Sequence, residues 1–172
     1  MVAQISRPVV LSTIPTMSTL QVFIAPQRSF YADVLANALR VAGMGSPVLV
    51  VQLFQGGSKA GTTEPVELCQ HLVWYRCQAQ RDLTSPESTI TPEELESVQA
   101  LWALAVAGIK SGEYRLVIIE GLSLAIQRGI VTEQTALELC SQRPTSVDVV
   151  LLDQTMPANL LEMADQITKC RS

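Results

Sequence analysis

Three near-continuous apolar runs constrain the chain most. They are Val48-Leu49-Val50-Val51-Gln52-Leu53, Leu116-Val117-Ile118-Ile119-Glu120 and Val147-Asp148-Val149-Val150-Leu151-Leu152. Each is strand-length and rich in β-branched residues, and none alternates apolar with polar. A strand covered on one face alternates, whereas a strand covered on both faces reads as an unbroken run. Stretches of helical periodicity separate the runs. Tyr31, Val34, Leu35, Ala38, Leu39 and Ala42 recur at three- and four-residue spacing. Strands alternating with helices predict an open, mainly parallel sheet with helices on both faces.

The remaining elements follow from local signals. Leu20-Gln21-Val22-Phe23-Ile24-Ala25 reads as a first strand ended by Pro26. Ser29 is a candidate cap for the first helix, Asp33 falls in its first turn, and Gly43 and Gly45 end it. Residues 64–80 are expected to be helical, with Leu68, Leu72 and Tyr75 on one face. Residues 81–91 form a polar connection. Thr91-Pro92-Glu93-Glu94 is a strong helix start: a cap, a proline at the first position, then acids. That helix runs to about Lys110 and ends at Ser111-Gly112. Leu122 to Arg128 and Thr132 to about Gln142 read as further helices, and a short one starts at Pro157. Ala164 to Thr168 either extends that last helix or forms an edge strand.

With 172 residues and 48% apolar composition, the chain has material for one sizeable core. A net charge of −4 and the lack of a basic run give no electrostatic reason to bind nucleic acid or an anionic membrane. No apolar stretch reaches the roughly 18 residues of a membrane span, so a soluble cytoplasmic protein is expected. Cys69, Cys77, Cys140 and Cys170 contain no paired spacing, and His71 is the one histidine, so reduced thiols rather than a zinc site are expected. Residues 1–19 mix short apolar groups with Ser, Thr and Pro. They are read as an arm that is poorly ordered or docks on the domain or a second subunit; residues 20–172 form the single domain.

Ligands of open parallel sheets sit at the strand carboxyl ends. Here those ends are Ala25 to Ala32, Gln52 to Gly57, Glu120-Gly121, and Asp153-Gln154-Thr155. Gly56 to Thr63 is Gly-rich and holds Lys59, but it lacks the spacing and ending of a phosphate loop, so a surface loop is expected. His71 is better read as a partly exposed helix residue than as a metal ligand.

Several short pieces, in order, resemble a known family. They are Ala38-Leu39-Arg40, Gly43 and Gly45, Val50-Val51-Gln52 with Gly56-Gly57, Ser111-Gly112-Glu113-Tyr114, Leu116 to Glu120, and Arg143-Pro144. Pro157, Leu160-Leu161-Glu162, Ala164-Asp165 and Ile167-Thr168 complete the set. Together they resemble the P-loop corrinoid adenosyltransferases, which move adenosyl from ATP to the cobalt of a reduced corrinoid. The resemblance implies a three-layer P-loop NTPase-like (RecA-like) α/β fold, a closing edge strand at Ala164-Asp165, and a homodimer.

The departures lie in the nucleotide machinery. Aligned through Ala38-Leu39-Arg40, the family's loop lysine falls on Phe30 and its hydroxyl residue on Tyr31. Its glycines fall on Ala25, Gln27 and Ser29. A phosphate cradle needs inward backbone N–H groups and a cation; Pro26 lacks an N–H and Phe30 lacks a charge, leaving Arg28 as the local cation. The family's Asp-Glu at the third strand end is Glu120-Gly121 here, so one of two carboxylates remains, and Glu120 is a weak candidate for holding a cation. The family's Thr-Gly-Arg stretch reads Leu152-Asp153-Gln154. Three altered parts of one triphosphate site argue for a non-catalytic homologue that binds, regulates or assembles, with no cofactor.

Two other functions compete. One is a working adenosyltransferase of cobalamin biosynthesis, using Mg-ATP and corrinoid, with Arg28, Ser29 and Glu120 in the missing roles. The other is a corrinoid or tetrapyrrole carrier or sensor, with Trp74-Tyr75 and Trp102 lining a groove between the helices at 64–80 and 92–110. A protein partner is not identifiable from the sequence.

Overall fold

The structure is a computed structural model; it describes residues 17–27, 31–54, 61, 63–85 and 87–170. The first strand is β1 (Leu20–Ile24), followed by helix α1 (Ala32–Gly43) and β2 (Val48–Gln52). A hairpin, β3 (Val66–Leu68) and β4 (Leu72–Arg76), precedes the long α2 (Pro92–Ser111). Then come β5 (Leu116–Glu120), α3 (Leu122–Gln127), α4 (Glu133–Ser141), β6 (Asp148–Asp153), α5 (Ala158–Met163) and β7 (Gln166–Lys169).

The strands form one seven-stranded sheet in the order β3-β4-β2-β5-β6-β1-β7. All pairings are parallel except β3 with β4. The fold is the expected α/β, P-loop NTPase-like class. Along β2 and β5 successive side chains enter opposite cores. Leu49, Val51, Val117 and Ile119 face α2, α3, α4 and α5, whereas Val48, Val50, Leu116 and Ile118 face α1. Both faces are covered there, which is why the sequence shows runs instead of alternation.

Topology explains the uneven layers. The step from β1 to β2 crosses the sheet in one direction, and the steps β4–β5, β5–β6 and β6–β7 all go the other way. Right-handed crossovers then put α1 alone on one face and the other helices on the opposite face.

The helix ends follow their predicted chemistry. Thr91 and Glu94 form a reciprocal capping box, Pro92 opens α2, and Gly112 closes it in the left-handed region at φ 70°. Thr132 caps α4 by accepting from Thr135 N at 3.1 Å. Tyr31 precedes α1 without a side-chain cap; the proposed cap, Ser29, lies outside the described residues. The Ala164–Thr168 segment resolves as the edge strand β7 rather than a helical extension.

One expected element is corrected. Residues 64–80 are not helical; they hold the β3–β4 hairpin. The three-residue turn from 69 to 71 places Cys69 and Gln70 in the left-handed region at φ 53° and 63°. Val73, Trp74 and Tyr75 suit a pleated strand better than a helix. His71 therefore sits exposed in the turn, not on a helix, and its carbonyl accepts from Val48 N at 2.7 Å.

The hairpin also removes the proposed tetrapyrrole groove between two helices. Trp74 packs on the α1 side of the sheet, while Tyr75 and Trp102 pack on the α2 side. Most of the Gly56–Thr63 stretch lies outside the described residues, as does the arm up to residue 16. Its last residues are described: Met17 is exposed, and Thr19 is anchored by Asp148, which accepts from its N–H at 2.8 Å. Among the described residues, no helix is long and apolar enough to cross a membrane.

Candidate functional site

At the carboxyl ends of β5 and β6 the sheet opens into a cleft of about 230 Å³. Glu120, Gly121, Asp153, Gln154 and Thr155 form its floor, and Tyr31, Phe54, Thr84, Leu124 and Gln127 its walls. The strand-end rule thus brings Tyr31, Glu120, Asp153 and Gln154 together. Gln52 stands behind the cleft as a buried support. Pro26 and Gln27 are exposed in a bend after β1. Arg28, Ser29 and Phe30 lie outside the described residues.

Glu120 and Gln52 are level in the register of β5 and β2, and both are almost fully buried. They are joined in one run of hydrogen bonds: Gln52 Nε2 donates to Glu120 Oε2, and Trp74 Nε1 donates to Gln52 Oε1 at 2.8 Å. The indole stacks in turn under the Arg76 guanidinium, 4.3 Å from its ring centre. A buried carboxylate is costly unless hydrogen-bonded, and this side-chain chain supplies the bonds.

Asp153 has a different task. Gly121 begins α3 in the left-handed region at φ 92° and offers no capping side chain. Asp153 caps from the neighbouring strand: Oδ2 accepts from Ser123 N at 2.9 Å and Leu124 N at 3.3 Å, and Oδ1 from Gln154 N at 2.9 Å. Burial pushes its carboxyl above the ordinary range and the Glu120 charge adds to this, while the three backbone N–H groups pull it back.

The walls are tied down as well. Gln127 Nε2 donates to Thr155 Oγ1 at 3.1 Å, and Ser123 Oγ lies 3.3 Å from the same oxygen. Arg128 holds the 83–88 segment, donating to Leu83 O at 3.1 Å, to Ser88 O at 2.9 Å, and to Ser85 O. Its guanidinium also lies over the Phe54 ring, 5.8 Å from the centre. Tyr31 meets Phe23 edge-to-face at 6.3 Å.

The described lining therefore presents carboxylates, amides, hydroxyls and two aromatic rings, and no Lys or Arg. Both carboxylates already make hydrogen bonds within the fold, and Arg28 and Lys59 lie outside the described residues. Among the described residues, no three His, Cys, Asp or Glu cluster so as to hold a metal ion by themselves. Phe54 falls within the expected strand end Gln52 to Gly57, whereas Thr84, Leu124 and Gln127 were not singled out from the sequence. Thr84 and Gln127 carried no signal there, because only the hairpin and the Arg128 clamp bring their segments to the strand ends.

The family model for the ATP:corrinoid adenosyltransferases BtuR/CobO/CobP matches residues 32–172. The chain belongs to this family. The match begins at the first residue of α1 and so follows the turn at 25–31. A corrinoid adenosyltransferase of Pseudomonas aeruginosa is 24% identical over 140 residues, covering 76% of this chain and 63% of that relative. The chain thus spans less than two thirds of the length of the curated relative it matches.

Proposed function

We propose that this member of the family is non-catalytic: it keeps the scaffold and uses it as a binding, regulatory or assembly protein. One observation carries the reading. The cleft that should receive a triphosphate is lined, among the described residues, by acids, amides and hydroxyls without a cation. Two sequence features support it. Pro26 and Phe30 stand where a phosphate cradle needs an N–H and an ammonium. Asp153-Gln154 stands where the resemblance places an arginine. The buried Glu120 and half-buried Asp153 carboxylates repel phosphate oxygens, and nothing in the described wall offsets that.

A neutral or cationic small molecule suits the cleft better than an anion. The amide of Gln127, the hydroxyls of Thr84 and Thr155, and the rings of Phe54 and Tyr31 offer directional bonds beside apolar faces. A cytoplasmic homodimer is the assembly that accompanies this reading.

Isothermal titration with Mg-ATP tests it. The expected result is no binding at micromolar nucleotide; a clear micromolar isotherm overturns the proposal. A second arm uses Phe30→Lys with Ser29→Gly, which returns a cation and a flexible backbone to the turn. Nucleotide binding gained only by that variant supports replacement of the loop as the cause. Formation of a cobalt–carbon bond from ATP and reduced corrinoid by the wild-type chain would make it an enzyme after all.

A further inference from the structure

The carboxyl ends of β4, β2 and β5 carry a polar row that extends beyond the cleft. Arg76, Gln52 and Glu120 are level in the sheet register, so they stand about 4.8 Å apart from strand to strand. Trp74 lies two residues before Arg76 on β4, so the pleat puts both on the α1 face. The Arg76 guanidinium lies over the indole, with Cζ 4.3 Å from the ring centre. The indole is itself fixed, because its Nε1 donates to Gln52, which donates to the buried Glu120. The cation thus rests on a support anchored in the middle of the sheet.

Its donors are unspent. Arg76, Arg128 and Arg143 each bury an Nε that has no hydrogen-bond partner. Arg128 and Arg143 spend their terminal nitrogens on the fold, Arg128 on carbonyls of the 83–88 segment and Arg143 on Cys140 O, Ser18 O and Asp165. Arg76 makes no such bond among the described residues. Nor does a described carboxylate pair with it: the ion pairs join Arg81 with Glu94, Arg115 with Asp148 and Arg143 with Asp165. The hairpin register, continued two residues before Val66, brings Glu64 opposite Arg76, yet Glu64 is exposed and no ion pair joins the two.

A guanidinium presents its N–H groups as a planar fork that matches the two oxygens of a carboxylate. Stacking on Trp74 takes one face of that plane and leaves the in-plane donors available. One positive charge, with Glu120 roughly 10 Å away across two strand spacings, balances a singly charged group better than a phosphate dianion. We propose that Arg76, held over Trp74, is a subsite for the carboxylate of a small organic acid. This subsite is separate from the acid-lined cleft, and it does not depend on whether the chain is catalytic.

Titration of the full chain with sodium acetate tests the proposal, with sodium chloride and sodium phosphate at equal ionic strength as comparisons. The readout is the indole N–H resonance of Trp74, told apart from the other tryptophan by Trp102→Phe. Acetate is expected to shift it saturably, and chloride is not. Arg76→Gln should weaken acetate binding roughly tenfold, and Arg76→Lys should restore little, because an ammonium lacks the fork. An acetate response no different from that to chloride, or one that survives Arg76→Gln, overturns the proposal. Phosphate binding tighter than acetate overturns the assignment to a carboxylate.

Discussion

Asp153 shows two opposing effects on one carboxyl group. Burial and the Glu120 charge favour its neutral form, and three N–H donors favour its charged form. Burial wins, so the folded chain holds this proton more tightly than the unfolded chain. Folding then takes up a proton from the ordinary value of 3.8 up to the raised one, and stability from this group falls as pH rises through that window. Asparagine has no such proton. Urea midpoints measured across pH should therefore show wild type losing ground to Asp153→Asn with rising pH, then running parallel to it. A gap that widens in favour of wild type would mean that the amide donors dominate. Gly121, at the other strand end, is constrained by geometry. Its φ is 92°, and an added Cβ would stand 2.9 Å from Phe54 Cδ2. Gly121→Ala is expected to cost about 2 kcal/mol or more, read by chemical denaturation.

Among the elements, the connection between β4 and α2 is held in part by Arg128, the residue that ends α3. Arg128 donates to carbonyls of Leu83, Ser85 and Ser88, and this holds Thr84 against the cleft. Arg128→Ala should lower stability by about 2 kcal/mol and speed amide exchange over residues 83–90. Arg128→Lys should restore little, because an ammonium cannot match a planar fork. Most elements were legible because their signals are local. Buried strands declare themselves as apolar runs, and Thr91-Pro92-Glu93-Glu94 marks the start of α2. The hairpin was not legible as such. Leu68, Leu72 and Tyr75 fall at helical spacing by chance of composition, whereas the deciding left-handed pair, Cys69-Gln70, carries no glycine or asparagine to announce it. The cleft was half legible for the same reason. Strand ends can be read from runs, so Glu120, Asp153 and Gln154 were found, whereas Thr84 and Gln127 reach it only through tertiary contacts.

For the molecule as a whole, the two cores shelter thiols unequally. Cys77 and Cys140 are buried, and burial pushes the Cys140 thiol up to about 11, whereas Cys69 is exposed and Cys170 half-exposed. Labelling of the native chain with a thiol reagent should count Cys69 first and Cys170 more slowly, leaving Cys77 and Cys140 until denaturant is added. Early labelling of Cys140 would mean the α4 side of the core opens readily. The sheet order carries a further consequence. β1 lies between β6 and β7, so Leu20 pairs with Val149 and Gln21 with Gln166. As the polypeptide leaves the ribosome, its first strand must wait for its last two. The β2–β4–β5 subset can assemble earlier in translation, but β1 stays unpaired until β6 and β7 have emerged, and until then it is a sticky segment for chaperones to guard.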